Sequence, residues 1–160
     1  DKDNATGQVL EALRTCELPE QCRITVVMGA TAPWLANIRQ LAVDMPWPTT
    51  VKVNISDMAQ LMADSDMAIG AAGATTWERS CLGLPTIMLV LAENQQRIAS
   101  TLEQAKAAQI ITKGELIDVC LPSLISPLVT SPSRLMLMSQ AAANILDGNG
   151  AAAVIQYLER

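Results

Sequence analysis

A chain of 160 residues that is 50% apolar can bury a core of its own, yet none of its apolar runs nears the ~20 residues that a bilayer-crossing helix needs. A net charge of −5, with 11 Lys and Arg scattered along the chain, excludes the basic stripe that displaces counterions from nucleic acid, and 2% aromatic content removes base-stacking platforms. The chain has no His, which removes the commonest general base and the Ser-His and Cys-His nucleophile systems. Cys16, Cys22, Cys81 and Cys120 include no C-x-x-C pair and read as buried or free thiols. No charged-then-apolar leader opens the chain at Asp1, so the expectation is a cytoplasmic protein with no membrane span, no metal and no cofactor.

Taken in order, residues 4–16 place Val9, Leu10 and Leu13 on one helical face, with Asp3 or Asn4 as cap. A β-branched run at 24–28 ends in Gly29, and Pro33 suits the first turn of a helix through Asp44. Pro46 and Pro48 lead into an alternating strand at 51–55, and Asp57 caps a short helix to Ala63. A strand at 67–69 precedes a helix at 76–82, closed by Gly83. The apolar run 86–91 reads as a buried parallel strand, 95–107 as a helix, and 110–112 as a short strand. The remaining third is helical, with breaks expected at Pro122, Pro127 and Pro132. Ala141 to Ala143 and Ala151 to Ala153, separated by Asp147-Gly148-Asn149-Gly150, suggest two helices joined by a turn.

This alternation predicts an α/β fold, a Rossmann-like doubly wound parallel sheet with helices on both faces. Ligands of such sheets bind beyond the carboxyl ends of the strands. Residues 29–31, 54–57, 70–76 and 92–96 would therefore share one rim. In the third of these, Gly70 and Gly73 among alanines offer close approach to the backbone, and a helix opening at Thr75 or Thr76 would turn free N–H groups toward an anion. The loop lacks both the G-x-G-x-x-G spacing and the Lys of a P-loop. A purely structural alternative is a capping box, with Thr75 as cap and Glu78 returning to its N–H.

The order of motifs extends beyond the loop. Asn54-Ile55-Ser56-Asp57-Met58, Gly73-Ala74-Thr75-Thr76-Trp77-Glu78, Gly83-Leu84-Pro85 and Glu93-Asn94-Gln95-Gln96 together resemble the C-terminal domain of UDP-sugar enzymes with the type B glycosyltransferase fold. Within that group, residues 71–85 are most similar to the UDP-sugar hydrolases of pseudaminic acid synthesis, which release UDP from a diacetamido-trideoxyhexose. The lipid-linked N-acetylglucosaminyl transferases of peptidoglycan synthesis are a more distant likeness. The resemblance implies that Gly73 and Ala74 offer N–H groups to the diphosphate and that Thr75 and Thr76 add hydroxyls. It further implies that Glu78 accepts from the ribose diol, that Ile55 lies by the uracil, and that Asn94 and Gln95 face the sugar.

Asp1 resembles the Asp that follows a Gly-Gly turn on the first strand of this family's domain. The implied organisation is a single nucleotide-sugar-binding domain over 1–160, preceded by a first strand and an N-terminal domain that holds the water-activating histidine. A gap beside the strand at 24–28 is then expected. The leading expectation is the UDP-binding domain of a hydrolase whose full-length form is active while this chain alone is not, with no catalytic residue here and UDP or a UDP-sugar as partner. Alternatives are the UDP-sugar donor domain of a glycosyltransferase, and a non-catalytic interaction module presenting Met58, Met62, Met136 and Met138 to a partner.

Overall fold

Helix α1, Ala5–Leu13, begins where three side-chain oxygens take up its first free N–H groups. Asn4 Oδ1 accepts from Gly7 N at 3.2 Å, while the Asp1 carboxylate accepts from Ala5 N at 2.7 Å and Thr6 N at 3.2 Å. The computed structural model describes residues 1–146, 148–149 and 155–158. These fall into two compact units, the first comprising Asp1–Met58 with Gly114–Thr130 and the second Ala59–Lys113 with Ser131–Arg160.

In the first unit, β1 (Ile24–Met28) pairs in parallel with β2 (Thr49–Val53) across the crossover helix α2 (Leu35–Val43). Among the described residues β1 carries a ladder on one edge only. Strand β2 lies two residues earlier than the alternation suggested, because Ile24 N donates to Pro48 O at the start of pairing and Asn54, at φ 52°, turns the chain out of the strand. Helix α6 (Ile117–Val129) packs on α1. It runs through Pro122 and Pro127, where breaks were expected. Each proline removes one intrahelical bond, but Leu121, Ile125 and Leu128 are buried on one stripe, and that packing holds the helix together.

In the second unit, β3 (Ala68–Ala71), β4 (Thr86–Leu89) and β5 (Ala108–Ile111) form a parallel sheet in that order. The central strand β4 is buried at all four positions, as a strand covered on both faces must be. Short helix α3 (Met58–Ala63) leads into β3, α4 (Thr75–Cys81) connects β3 to β4, and a 3₁₀ turn at Glu93–Gln95 followed by α5 (Gln96–Gln104) connects β4 to β5. Met88, Val90, Ala99, Leu102, Ala107 and Ala142 pack into one core. The last of these comes from α7 (Pro132–Ala143), which begins at Pro132, where the sequence places a break. Met62 and Met138 are buried, so the four methionines do not form one exposed stripe. Residues 155–158 are helical, and Ala151 to Ala153, expected to open a helix there, lie outside the described residues.

The observed architecture is thus parallel α/β with helices on both sides of the sheets, divided into a two-stranded and a three-stranded piece. No helix among the described residues is long and apolar enough to cross a membrane.

Candidate functional site

The carboxyl ends of β3 and β4 bring two loops of the second unit to one edge, residues 72–74 before α4 and residues 90–92 before the 3₁₀ turn. Ala72 anchors the first, fully buried, its N–H donating to Leu89 O at 3.0 Å. Beyond it, no hydrogen bond joins the N–H of Gly73, Ala74 or Thr75 to another described residue. Three successive donors are left for a ligand or water.

Helical periodicity then divides α4 into two faces. Thr76, Arg79 and Ser80 recur at i, i+3 and i+4 and are buried; Ala74, Thr75 and Glu78 recur on the other side and are exposed. The capping box does not form. Ala74 occupies the cap position with helical angles, Thr75 is the first helical residue, and no side chain caps the helix. The Glu78 carboxylate is left without a hydrogen bond to any described residue. At the far end, Gly83 adopts φ 62° and closes the helix, with Gly83 N donating to Ser80 O at 2.9 Å and Leu84 N to Arg79 O at 2.9 Å.

The two loop glycines have different reasons to be glycine. A Cβ on Gly73 would meet no atom of the protein within 4 Å, and its φ is not in the left-handed region, so nothing internal demands glycine there. Gly70, read from the sequence as an approach point for ligand, instead makes room for Arg79, whose Nη1 would collide with a Cβ at that position. Arg79 Nη2 donates to Ala71 O at 2.8 Å and to Thr76 Oγ1 at 3.2 Å, and desolvation holds the guanidinium pKa below its ordinary value. Sequence reasoning missed Arg79. Its signal was the i, i+3 spacing from Thr76 on the core-facing side, together with a glycine inside a strand.

Elsewhere, Asn94 is exposed, while Gln95 is half-buried and turns its Oε1 back to accept from Leu91 N at 2.9 Å. Thr76 is 1% exposed, its hydroxyl committed to Arg79. Gly73, Ala74, Thr75, Glu78, Asn94 and Gln95 thus belong to one edge of the second unit. Ile55 belongs to the first unit, half-buried just past the end of β2, where Asn54 Oδ1 accepts from Ala30 N at 3.1 Å. No group of three or more His, Cys, Asp or Glu among the described residues is arranged to hold a metal.

This parallel α/β architecture matches the C-terminal half of a type B glycosyltransferase. A crystal structure of Acinetobacter baumannii MurG superposes with a TM-score of 0.80 at 24% identity, covering 97% of this chain and 46% of that one. The Glycosyltransferase family 28 C-terminal domain matches residues 8–156, and the chain belongs to that family. It is 29% identical over 134 residues to the spore coat polysaccharide biosynthesis protein SpsG of Bacillus subtilis, 83% of this chain and 39% of that protein. It is 35% identical over 105 residues to the UDP-N-acetylglucosamine--N-acetylmuramyl-(pentapeptide) pyrophosphoryl-undecaprenol N-acetylglucosamine transferase of Sorangium cellulosum, 62% of this chain and 26% of that enzyme. The chain therefore spans well under half the length of these curated relatives. The expected hydrolase is corrected by these findings. The family is a glycosyltransferase family, and the relatives named above by an activity are transferases, which leaves the hydrolase and its place in pseudaminic acid synthesis without support.

Proposed function

We propose that this chain is the donor-binding domain of a glycosyltransferase that takes its sugar from a UDP-sugar. The observation that carries the reading is the exposed face of Ala74, Thr75 and Glu78 beside three unbonded N–H groups, in a chain that belongs to family 28. In this reading the N–H groups of Gly73 and Ala74 and the Thr75 hydroxyl hold the diphosphate, a set of donors matched to an acceptor-only group. The Glu78 carboxylate, exposed and unbonded, accepts from the two ribose hydroxyls, each a charge-assisted hydrogen bond. Asn94 faces the sugar, and Gln95 braces the turn that carries Asn94 through its bond to Leu91 N. The whole protein then transfers that sugar to an acceptor. Holding the diphosphate is the chemical part of this domain's role, because hydrogen bonds to the leaving UDP strengthen as its charge develops.

Titration calorimetry of the chain against UDP, CDP and ADP tests the reading. UDP is expected to release heat and to bind more tightly than either competitor. An absence of heat, or equal affinity for ADP, would overturn it and leave the interaction module as the alternative.

A further inference from the structure

Arg79 is 7% exposed, yet no carboxylate among the described residues forms an ion pair with it. Its Nε is also buried without a hydrogen-bond partner. Glu78 attracts the charge from the exposed side of the helix, but desolvation outweighs that attraction, so burying the guanidinium without an ion-paired carboxylate opposes folding, and a Leu or Met would fill the same space without that cost. Packing alone therefore does not account for an arginine here. The acceptors it does reach are informative: Ala71 O ends β3 and Thr76 Oγ1 lies in the first turn of α4. One guanidinium nitrogen thus joins the two ends of the 72–75 loop, whose own N–H groups are unbonded from Gly73 to Thr75. The strand is shaped to admit it, since Gly70 is where a Cβ would strike Nη1.

We propose that Arg79 is the positioning residue of this loop, a clasp joining the end of β3 to the first turn of α4 so that the Gly73, Ala74 and Thr75 N–H groups stay converged on the diphosphate of a UDP-sugar. The proposal rests on the donor-binding reading for its ligand. It also gives Thr76 a role: its hydroxyl is the clasp's second anchor and serves the diphosphate through Arg79. A positive charge this poorly solvated adds to the potential the loop offers an anion, because charge–charge attraction grows as the local dielectric falls. Uridine, which has no phosphate, gains nothing from either effect.

The experiment compares Arg79→Met, Arg79→Lys and Thr76→Val with the wild-type chain in two measurements. The first is amide hydrogen exchange by NMR without ligand. Arg79→Met should speed exchange of the two hydrogen-bonded amides that flank the loop's free donors, Ala72 and Thr76, by about tenfold or more, the equivalent of losing one buried hydrogen bond or two, while β4 amides keep their protection relative to the global stability of each variant. The second is the ratio of UDP to uridine affinity. Arg79→Met should lower UDP affinity by about tenfold or more with uridine unchanged, and Thr76→Val should move both readouts the same way by less. Arg79→Lys, which keeps the charge but replaces the rigid planar guanidinium that fixes Nη2 between both acceptors with a flexible ammonium stem, should fail to restore loop protection. Unchanged exchange at Ala72 and Thr76 overturns the clasp whatever UDP does. Equal losses for UDP and uridine reduce Arg79 to a general structural residue and also overturn it. A wild-type chain that binds no UDP defeats the donor reading separately, and exchange then judges the clasp alone. Should Arg79→Met fail to fold, Thr76→Val decides, since it removes one acceptor at nearly constant volume.

Discussion

Two glycines three positions apart make opposite demands on a methyl group. At Gly73 a Cβ meets only open space and the backbone is ordinary, so Gly73→Ala should leave the melting temperature unchanged or raise it, an entropic gain of about 0.4–1 kcal/mol. The same methyl would stand where the diphosphate approaches, so UDP affinity should fall. At Gly70 the methyl strikes Arg79, and Gly70→Ala should cost about 1–3 kcal/mol of stability, readable in a urea titration. Equal destabilisation by both substitutions would mean that a methyl at Gly73 is as crowded as one at Gly70. Glu78 separates function from stability in the same way. It caps nothing, and its attraction to Arg79 acts from an exposed, solvent-screened position, so Glu78→Gln should leave melting almost unchanged while weakening UDP by about ten- to a hundredfold, the loss of charge-assisted bonds worth roughly 1.5–3 kcal/mol. Cys16 is a pH probe for the first unit: burial pushes its thiol above the ordinary value. Below that ordinary value the thiol is protonated in both states and stability is fully present. As pH rises past it the unfolded chain ionises first, so stability should decline until the folded value is passed, and Cys16→Ala should flatten that alkaline decline in denaturant titrations.

Helix α4 shows how much of an element can be read from sequence and where reading stops. Its glycine terminus at Gly83 was legible, because a left-handed C-cap needs a residue without a Cβ. The structure adds a second constraint, since a Cβ at Gly83 would also lie 3.2 Å from Ser139 O of α7. Gly83→Ala should therefore cost about 1–2 kcal/mol from the backbone strain alone, with more from that contact, measured as a lowered denaturation midpoint. The start of the helix was less legible. Thr75 and Glu78 have the spacing of a capping box, but the helix opens one residue earlier than that box requires, and both side chains are left exposed. Only the division into faces distinguishes Thr75 from Thr76, neighbours of identical chemistry of which one is exposed and the other 1% exposed. Helix α6 is the converse case. Pro122 and Pro127 argue locally for breaks, and tertiary burial of Leu121, Ile125 and Leu128 overrides them.

At the scale of the molecule, the order of strands and helices was legible from alternation alone, whereas the division into two units was not, because pairing partners are long-range facts that local pattern does not carry. The candidate donor edge belongs to the second unit, and ligand linkage gives this a measurable consequence. A ligand that binds only the folded form stabilises it by about 2.7 kcal/mol at a hundred times its dissociation constant. That stabilisation reaches an amide only if the opening that exposes it also destroys the ligand site. The hydrogen-bonded amides of Ala72, α4 and β4 should therefore exchange more slowly by up to about a hundredfold at that UDP concentration, since their opening disrupts the loop or its Leu89 anchor. Amides of α1 that open without disturbing the second unit should keep their ligand-free rates. NMR exchange with and without UDP reads both groups in one sample. Slowing across every amide by the same factor would mean that the chain opens as one cooperative body. Slowing confined to α1 and α6 would place the nucleotide in the first unit and remove Gly73, Ala74, Thr75 and Glu78 from the donor site.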